Sequence, residues 1–397
     1  MVLHPQLACR HFPVHHSPIS RRAVYRTRNA LVTLFAGLAM LACERGDARV
    51  PSRGSATSDP AHGTPSLAAR PDSDAVRTAI QRAVADSVPP SGVAAHHWLH
   101  VRNLYAESSD APLWIGTEGP SENAKSLVRV LAKAGDDGLR LSDFPLAEID
   151  SAVSRVVGAQ AANATPQQVA QADVLLSCAY ATYAETMLRG RVDPKKVQRA
   201  WHIAPRDADI DSVLATALRT RDFGVALTKF RPDLTGYNTL REALTEYRGI
   251  VAKGGWPQIP SGATLRVGDS SASVPILRQR LAAEELISGS AVSADQHYDS
   301  ALAGAVAAFQ SLHGLATDST VGPGTLRSLN VTAERRVDGI IANMERYRWL
   351  PHDLGGRYIL VNIPAFHLTA FEDGKPALRM NVVVGAEYGG RATPIFS

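Results

Sequence analysis

The chain has 397 residues, 45% of them apolar and 20% charged. That is enough for two or three domains with cores of their own, and it excludes a chain too polar to fold. The formal net charge is only +4 and the pI is near 9.0, which suits an anionic partner such as cell wall, nucleic acid or a membrane surface without choosing among them.

Residues 1–43 read as a targeting segment rather than as fold. Arg21, Arg22, Arg26 and Arg28 precede an apolar run from Ala30 to Ala42 that is short for a bilayer span. A basic stretch before a short apolar one is the pattern of a secretory signal. Ala42 before Cys43 is similar to a bacterial lipoprotein box, so Cys43 is the candidate lipidation site and possible point of membrane attachment. Met40 stands where leucine is usual, and ordinary cleavage a few residues away is the alternative. Residues 44–73 are rich in Ser, Ala, Pro, Gly and charge with no apolar period, and read as a disordered linker.

Residues 74–261 read as mostly helical. One helix is predicted in the stretch "SENAKSLVRVLAKAGDDGL", with Leu127, Val130, Leu131 and Ala134 at helical intervals. Ser121 is its N-cap and Gly135 or Gly138 its stop. A second is capped by Thr165, has Pro166 in its first turn and ends at Gly190. A third presents Tyr237, Leu240, Leu244 and Tyr247 on one face. Residues 262–331 read as a separate three-helix unit. Its stripes are Val274, Leu277 and Leu281, then Leu302, Val306 and Phe309, and Pro323 opens the last helix. Gly314 followed by Leu315 is a glycine helix stop with its hydrophobic clasp. Residues 332–356 hold a connecting helix with Val337, Ile340, Ile341 and Met344 inward. From residue 357 the period becomes two: a strand, a kink at Pro364, a second strand, a turn at "EDGK", and a third strand over Arg379–Gly385.

Cysteine chemistry is sparse. Cys9 is lost on processing and Cys43 is lipidated or lost, which leaves Cys178 and no disulfide framework. Cys178 lies in an apolar helical run and reads as a small buried hydrophobe, not a nucleophile. His96, His97 and His100 have helical spacing, but with no Glu between them and no third ligand nearby they read as a helix face, not a zinc site. Arg391 lies in a loop where it could touch a carboxylate or stand in solvent.

The stretch "LRVGDSSASVPILRQRL…YDSALAGAVAAFQSLHGLATDSTVGPGTLRSLNV" resembles the type 1 peptidoglycan-binding module. The stretches "LYAESSDAPLWI", "LLSCAYATYAETMLRGRVDP", "NMERYRWLP" and "RYILVNIPAFHLTAFEDGKPALRMNVVVG" resemble the YcbB-type L,D-transpeptidases over roughly residues 98–397. The resemblance implies a multidomain, mainly α fold: a helical scaffold, the three-helix module, then the first strands of a YkuD-type catalytic β-domain over 357–397. It implies a periplasmic or cell-envelope location, peptidoglycan as partner, and neither nucleic acid, metal nor cofactor. The family reaction is acyl transfer. A cysteine thiolate attacks the diaminopimelate carbonyl of a tetrapeptide stem, D-Ala leaves, and the amine of a second stem resolves the thioester into a 3→3 cross-link. It needs a Cys beside a His and backbone N–H groups for the oxyanion. The family motif, H-G-T and then S-H-G-C-x-R, does not occur here and is expected beyond Ser397. The chain is therefore expected to be a fragment without its nucleophile, and no catalytic residue is assigned. The competing reading is a non-catalytic peptidoglycan-binding adaptor; a zinc peptidase or amidase lacks its metal motif. The mild basicity is expected to help draw the module to an anionic wall.

Overall fold

The computed structural model describes residues 72–383, apart from 91–92, 117–118, 158–162, 200, 221–222, 352–353 and 364–365. Cys43, Arg391 and Pro364 lie outside the described residues. In chain order the elements begin with α1 (Ser73–Val84), α2 (Ala95–Glu107) and a two-residue ribbon, β1 (Ile115–Gly116) with β2 (Gly119–Pro120). Next come α3 (Glu122–Ala132), α4 (Leu146–Ser154), α5 (Pro166–Arg189), α6 (Pro194–Val197), α7 (Ile210–Thr220), α8 (Phe223–Thr228) and α9 (Thr235–Ala252). The rest are α10 (Val274–Ala282), α11 (Ser300–Leu312), α12 (Pro323–Leu329), α13 (Ala333–Arg348) and the strands β3 (Arg357–Asn362), β4 (His367–Glu372) and β5 (Lys375–Asn381). The fold is mostly helical and ends in a small antiparallel sheet.

α5 is the axis of the larger core. Thr165 and Gln168 form a reciprocal capping box, at 3.2 and 2.8 Å, and Pro166 opens the first turn. The middle of the helix is buried almost all round, from Val169 to Leu188, which is how a helix behaves when neighbours cover every face. α1, α2, α4 and α7 pack on it. Gly190 ends it at φ +80°. A Cβ there would meet Glu345 Oε1 at 2.5 Å and Trp349 Nε1 at 2.7 Å, so only glycine fits.

α3 is capped by Ser121 as predicted. Of the two glycines, Gly138 makes the stop: a 3₁₀ turn, Ala134–Asp137, intervenes, and Gly138 closes it in the left-handed region. Tyr237 and Leu244 of α9 are buried, and Leu240 and Tyr247 pack beside them. The helix read from sequence as a connector, α13, supplies part of this same core. Ile340 and Met344 are fully buried with the α5 residues, Val337 and Ile341 lie against them, and α13 packs along α9.

A second core gathers Leu265, Val274, Leu277, Leu281, Tyr298, Leu302, Val306, Phe309, Val321 and Leu329 from α10, α11, α12 and their loops. It reaches back to Ile259, before the expected start at residue 262.

The sheet is an antiparallel meander in the order β3-β4-β5. Asp373 and Gly374 turn the second hairpin with φ of +48° and +71°, the two-residue geometry that matches strand twist. Pairing therefore starts at Lys375, directly after the turn, and not at Arg379. The ladder runs to Asn381, opposite His367 where β4 begins, and Val382 N–H still donates to the Phe366 carbonyl at 2.9 Å. Val384 and Gly385, the expected end of the strand, lie outside the described residues. Ile359, Ala370 and Leu378 lie in register across the three strands, as do Val361, Leu368 and Met380. Side chains alternate across a strand, so these six share a face. Ile359 is nevertheless 65% exposed and Leu378 55%.

Candidate functional site

The side chains that identify the module in the sequence build its frame. Val274, Leu277, Leu281, Leu302, Val306 and Phe309 fill the core. Gly268 takes a left-handed φ of +93°, and its N–H donates to the Tyr298 carbonyl at 2.9 Å. Gly314, at φ +61°, lets Leu315 N–H reach the Gln310 carbonyl at 2.8 Å and Leu315 pack on the core.

Gln310 is a buried amide on α11. Its NH₂ donates to Asp318 Oδ1 at 2.8 Å, the Thr320 carbonyl at 2.9 Å and Thr325 Oγ1 at 3.1 Å. Its carbonyl oxygen accepts from the N–H groups of Asp318 and Ser319. Tyr298, also buried, donates to the Ser319 carbonyl at 2.6 Å. These two side chains tie the loop around residues 316–322 to α11 and to the 295–299 loop, and backbone hydrogen bonds from Gly268 and Ser271 to Tyr298 and Gln296 bring the 266–271 loop to the same end of the module. Rigidly held loops are where ligand contacts concentrate, and this end presents Arg266, Asp269, His297 and Asp318 to solvent.

The module is latched to the helical part by a buried charge. Arg280 is fully buried on α10 and stacks over the Trp256 ring at 3.8 Å. It donates to the Leu329 carbonyl at 2.7 Å and to Glu284 at 2.9 Å. Glu284 also accepts from Tyr247 of α9 at 2.9 Å. Asn330 exchanges two hydrogen bonds with the Ile259 backbone, both at 2.8 Å, and Trp256 Nε1 donates to the Val331 carbonyl. Trp256 and Tyr247 were not legible as junction residues. The only sequence signal is a tryptophan beside two glycines ahead of the module.

Two more buried charges organise the helical part. Asp173, in mid-α5, accepts from the N–H groups of Leu113, Trp114 and Ile115 at 2.8–2.9 Å and from Tyr105 Oη at 2.6 Å. Burial raises its carboxyl above the usual range while these four donors pull the other way. Asp137 takes a two-pronged contact from Arg231 at 2.9 and 3.0 Å and lies 2.7 Å from Arg241. Its backbone carbonyl accepts from Arg348. Both centres are closed by protein groups and serve packing.

Cys178 is buried, and burial pushes its thiol up to about 12, which makes it a poor nucleophile. The three histidines on α2 go separate ways. His100 Nδ1 lies 3.1 Å from Asp211 of α7, and that hydrogen bond raises its pKa. His97 lies 3.2 Å from Thr182 Oγ1, and burial drops its pKa to about 4. His96 packs its ring on that of His97. Among the described residues no cluster of three metal-ligating side chains forms.

The charge distribution corrects one expectation. Residues 1–71 carry nine arginines against three acidic residues, whereas residues 262–331 carry four arginines against six acidic residues. The basicity of the chain therefore belongs to its first segment, and the module is net acidic.

Residues 100–244 match the family model of the Scaffold domain, and residues 270–329 match that of the Putative peptidoglycan binding domain. No curated protein matches the chain. The two matches follow one another in the order of the two cores and support peptidoglycan as a partner and a role tied to the cell wall.

Proposed function

We propose that this chain is an envelope protein of the YcbB-type L,D-transpeptidase architecture, with a module that holds peptidoglycan near the 3→3 cross-linking reaction. The observation that carries this reading is the order of parts: a Scaffold domain match, a peptidoglycan-binding match, then an antiparallel β-meander. The envelope location, with processing near Cys43 and a lipid there, belongs to the same proposal and agrees with a wall-binding module. Among the described residues no helix is long and apolar enough to cross a membrane.

The non-catalytic reading has one observation in its favour. The thiol of Cys178 is buried, and its hydroxyl and carboxylate neighbours are committed to other contacts: Ser177 to Tyr105 and Trp114, Asp173 to the 113–115 backbone. The chain by itself is therefore proposed to bind wall and not to cross-link it. Sacculus co-sedimentation tests the first part; retention of the folded chain in the supernatant would refute it. Mass spectrometry after incubation with tetrapeptide muropeptides or a carbapenem tests the second. A 3→3 dimer, or a drug adduct on Cys178, would refute that.

A further inference from the structure

From residue 72 onward, thirty-three lysines and arginines face thirty-five acidic residues. One short segment departs from this balance. Residues 189–199 hold Arg189, Arg191, Lys195, Lys196 and Arg199 against a single acid, Asp193. Arg189 is paired with Glu185 and Asp207, and Arg191 with Asp143 at 3.1 Å. Among the described residues no ion pair involves Lys195, Lys196 or Arg199, and all three are exposed. Two aliphatic side chains stand among them in solvent, Val192 at 42% and Val197 at 58% exposure.

The segment is also held firmly. Arg191 and Val192 donate their N–H groups to Glu345 Oε1 of α13 at 2.5 and 3.1 Å. Asp193 caps the single turn of α6 by accepting from Lys195 N–H at 3.0 Å. Trp201, just beyond, packs edge-on against Trp349 with ring centroids 5.5 Å apart. A projection fixed in this way loses little freedom when it meets a surface.

We propose that residues 191–199 form an interfacial docking surface for a membrane rich in anionic lipid. Unpaired cations beside exposed aliphatic side chains fit the boundary between charged headgroups and acyl chains. A carboxylate-bearing polymer would use the cations and leave the valines idle. The proposal goes beyond the wall-binding role, since it uses neither the module nor Cys43.

The test uses the chain from residue 72 onward, which contains both cores as they stand among the described residues and omits the arginine-rich first segment. Co-sedimentation is measured with vesicles of equal parts phosphatidylglycerol and phosphatidylcholine, with pure phosphatidylcholine vesicles and with purified sacculi. Binding to the anionic vesicles alone among the two lipids is expected. Each basic residue near an anionic surface changes partitioning about five-fold. The triple variant Lys195→Gln, Lys196→Gln, Arg199→Gln should therefore lose on the order of a hundred-fold, with its thermal melting unchanged because these side chains are exposed. Val192→Ser with Val197→Ser should lose several-fold and make the remainder more sensitive to salt. Equal vesicle binding by wild type and the triple variant overturns the proposal. So does a triple variant that loses sacculus binding and keeps vesicle binding, which would assign the segment to the wall.

Discussion

The three-helix module and the terminal sheet have similar apolar stripes and opposite fates. In the module Val274, Leu277, Leu281, Val306 and Phe309 are all fully buried. In the sheet Ile359, Val361, Leu378 and Met380 are lined up just as regularly, yet all are exposed. A stripe makes a core only when another element lies across it, and a three-stranded meander has no second layer of its own. The largest expected effects follow from this. Phe309→Ala or Leu281→Ala should cost about 3–5 kcal/mol in urea unfolding of the module, by lost transfer energy plus a cavity. Ile359→Ala should cost less than about 0.5 kcal/mol, as for any exposed site. Equal costs at Phe309 and Ile359 would mean that something does cover the sheet face.

The edge of the module is sharper than its helices alone imply. A fragment spanning 262–331 keeps the three helices but drops Ile259 from the core and Trp256 from beneath Arg280. Arg280 would then keep its hydrogen bonds and lose the ring that covers it, while Asn330 would lose both backbone partners. A fragment starting at Trp256 should be more stable by about 2–3 kcal/mol, from one buried aromatic and one aliphatic side chain. Chemical denaturation of the two fragments side by side makes the comparison. Indistinguishable midpoints would show that the module closes without the junction.

Polar closure divides the molecule in the same way. The clasp between α2 and α7, His100 with Asp211, is half-buried among helices, whereas the sheet carries its polar groups in water. His100 is raised above its ordinary value of 6.5 by the Asp211 hydrogen bond. Its stabilisation is fully present below that ordinary value and is lost as pH rises through the folded value. The stability difference between wild type and His100→Gln, measured by melting, should fall by about 0.5–1 kcal/mol between pH 5 and 9, against the opposite trend from His97, whose lowered pKa makes its contribution grow as pH rises. A variant with the wild-type profile would remove His100 as its source.

Much of this was readable before any coordinates. The caps Ser121 and Thr165, the stop at Gly190 and the stripes of α10 and α11 follow from local rules, in which a residue and its near neighbours decide the geometry. What escaped depends on partners far along the chain. The period of α13 marks an inward face at Ile340 and Met344, but not that this face meets the α5 core. An aspartate in the apolar run of α5 is a hint of a buried carboxylate, yet only the fold shows that Asp173 gathers the backbone at 113–115. Arg280 and Trp256 are 24 positions apart, and no periodicity links them. The start of β5 was misplaced for the same reason: the Asp373–Gly374 turn and the partner strand set where pairing begins, and composition alone starts the strand at Arg379.

The smallest expected effect separates two surfaces that the bulk charge had merged. The +4 of the whole chain suggested a basic module drawn to the wall, but residues 262–331 hold more acids than bases. Exposed charges are screened beyond about 10 Å at 0.1 M salt, so an electrostatic attraction weakens steeply as salt is added. Sacculus binding by the fragment starting at Trp256 should change less than about two-fold between 0.05 and 0.5 M salt, because screening cannot remove an attraction the module does not make. Vesicle binding through Lys195, Lys196 and Arg199 should fall sharply over the same range. If sacculus binding instead falls with the steep slope of the vesicle curve, the module meets the wall through a local basic patch, with Arg266 and Arg327 the exposed arginines to test first.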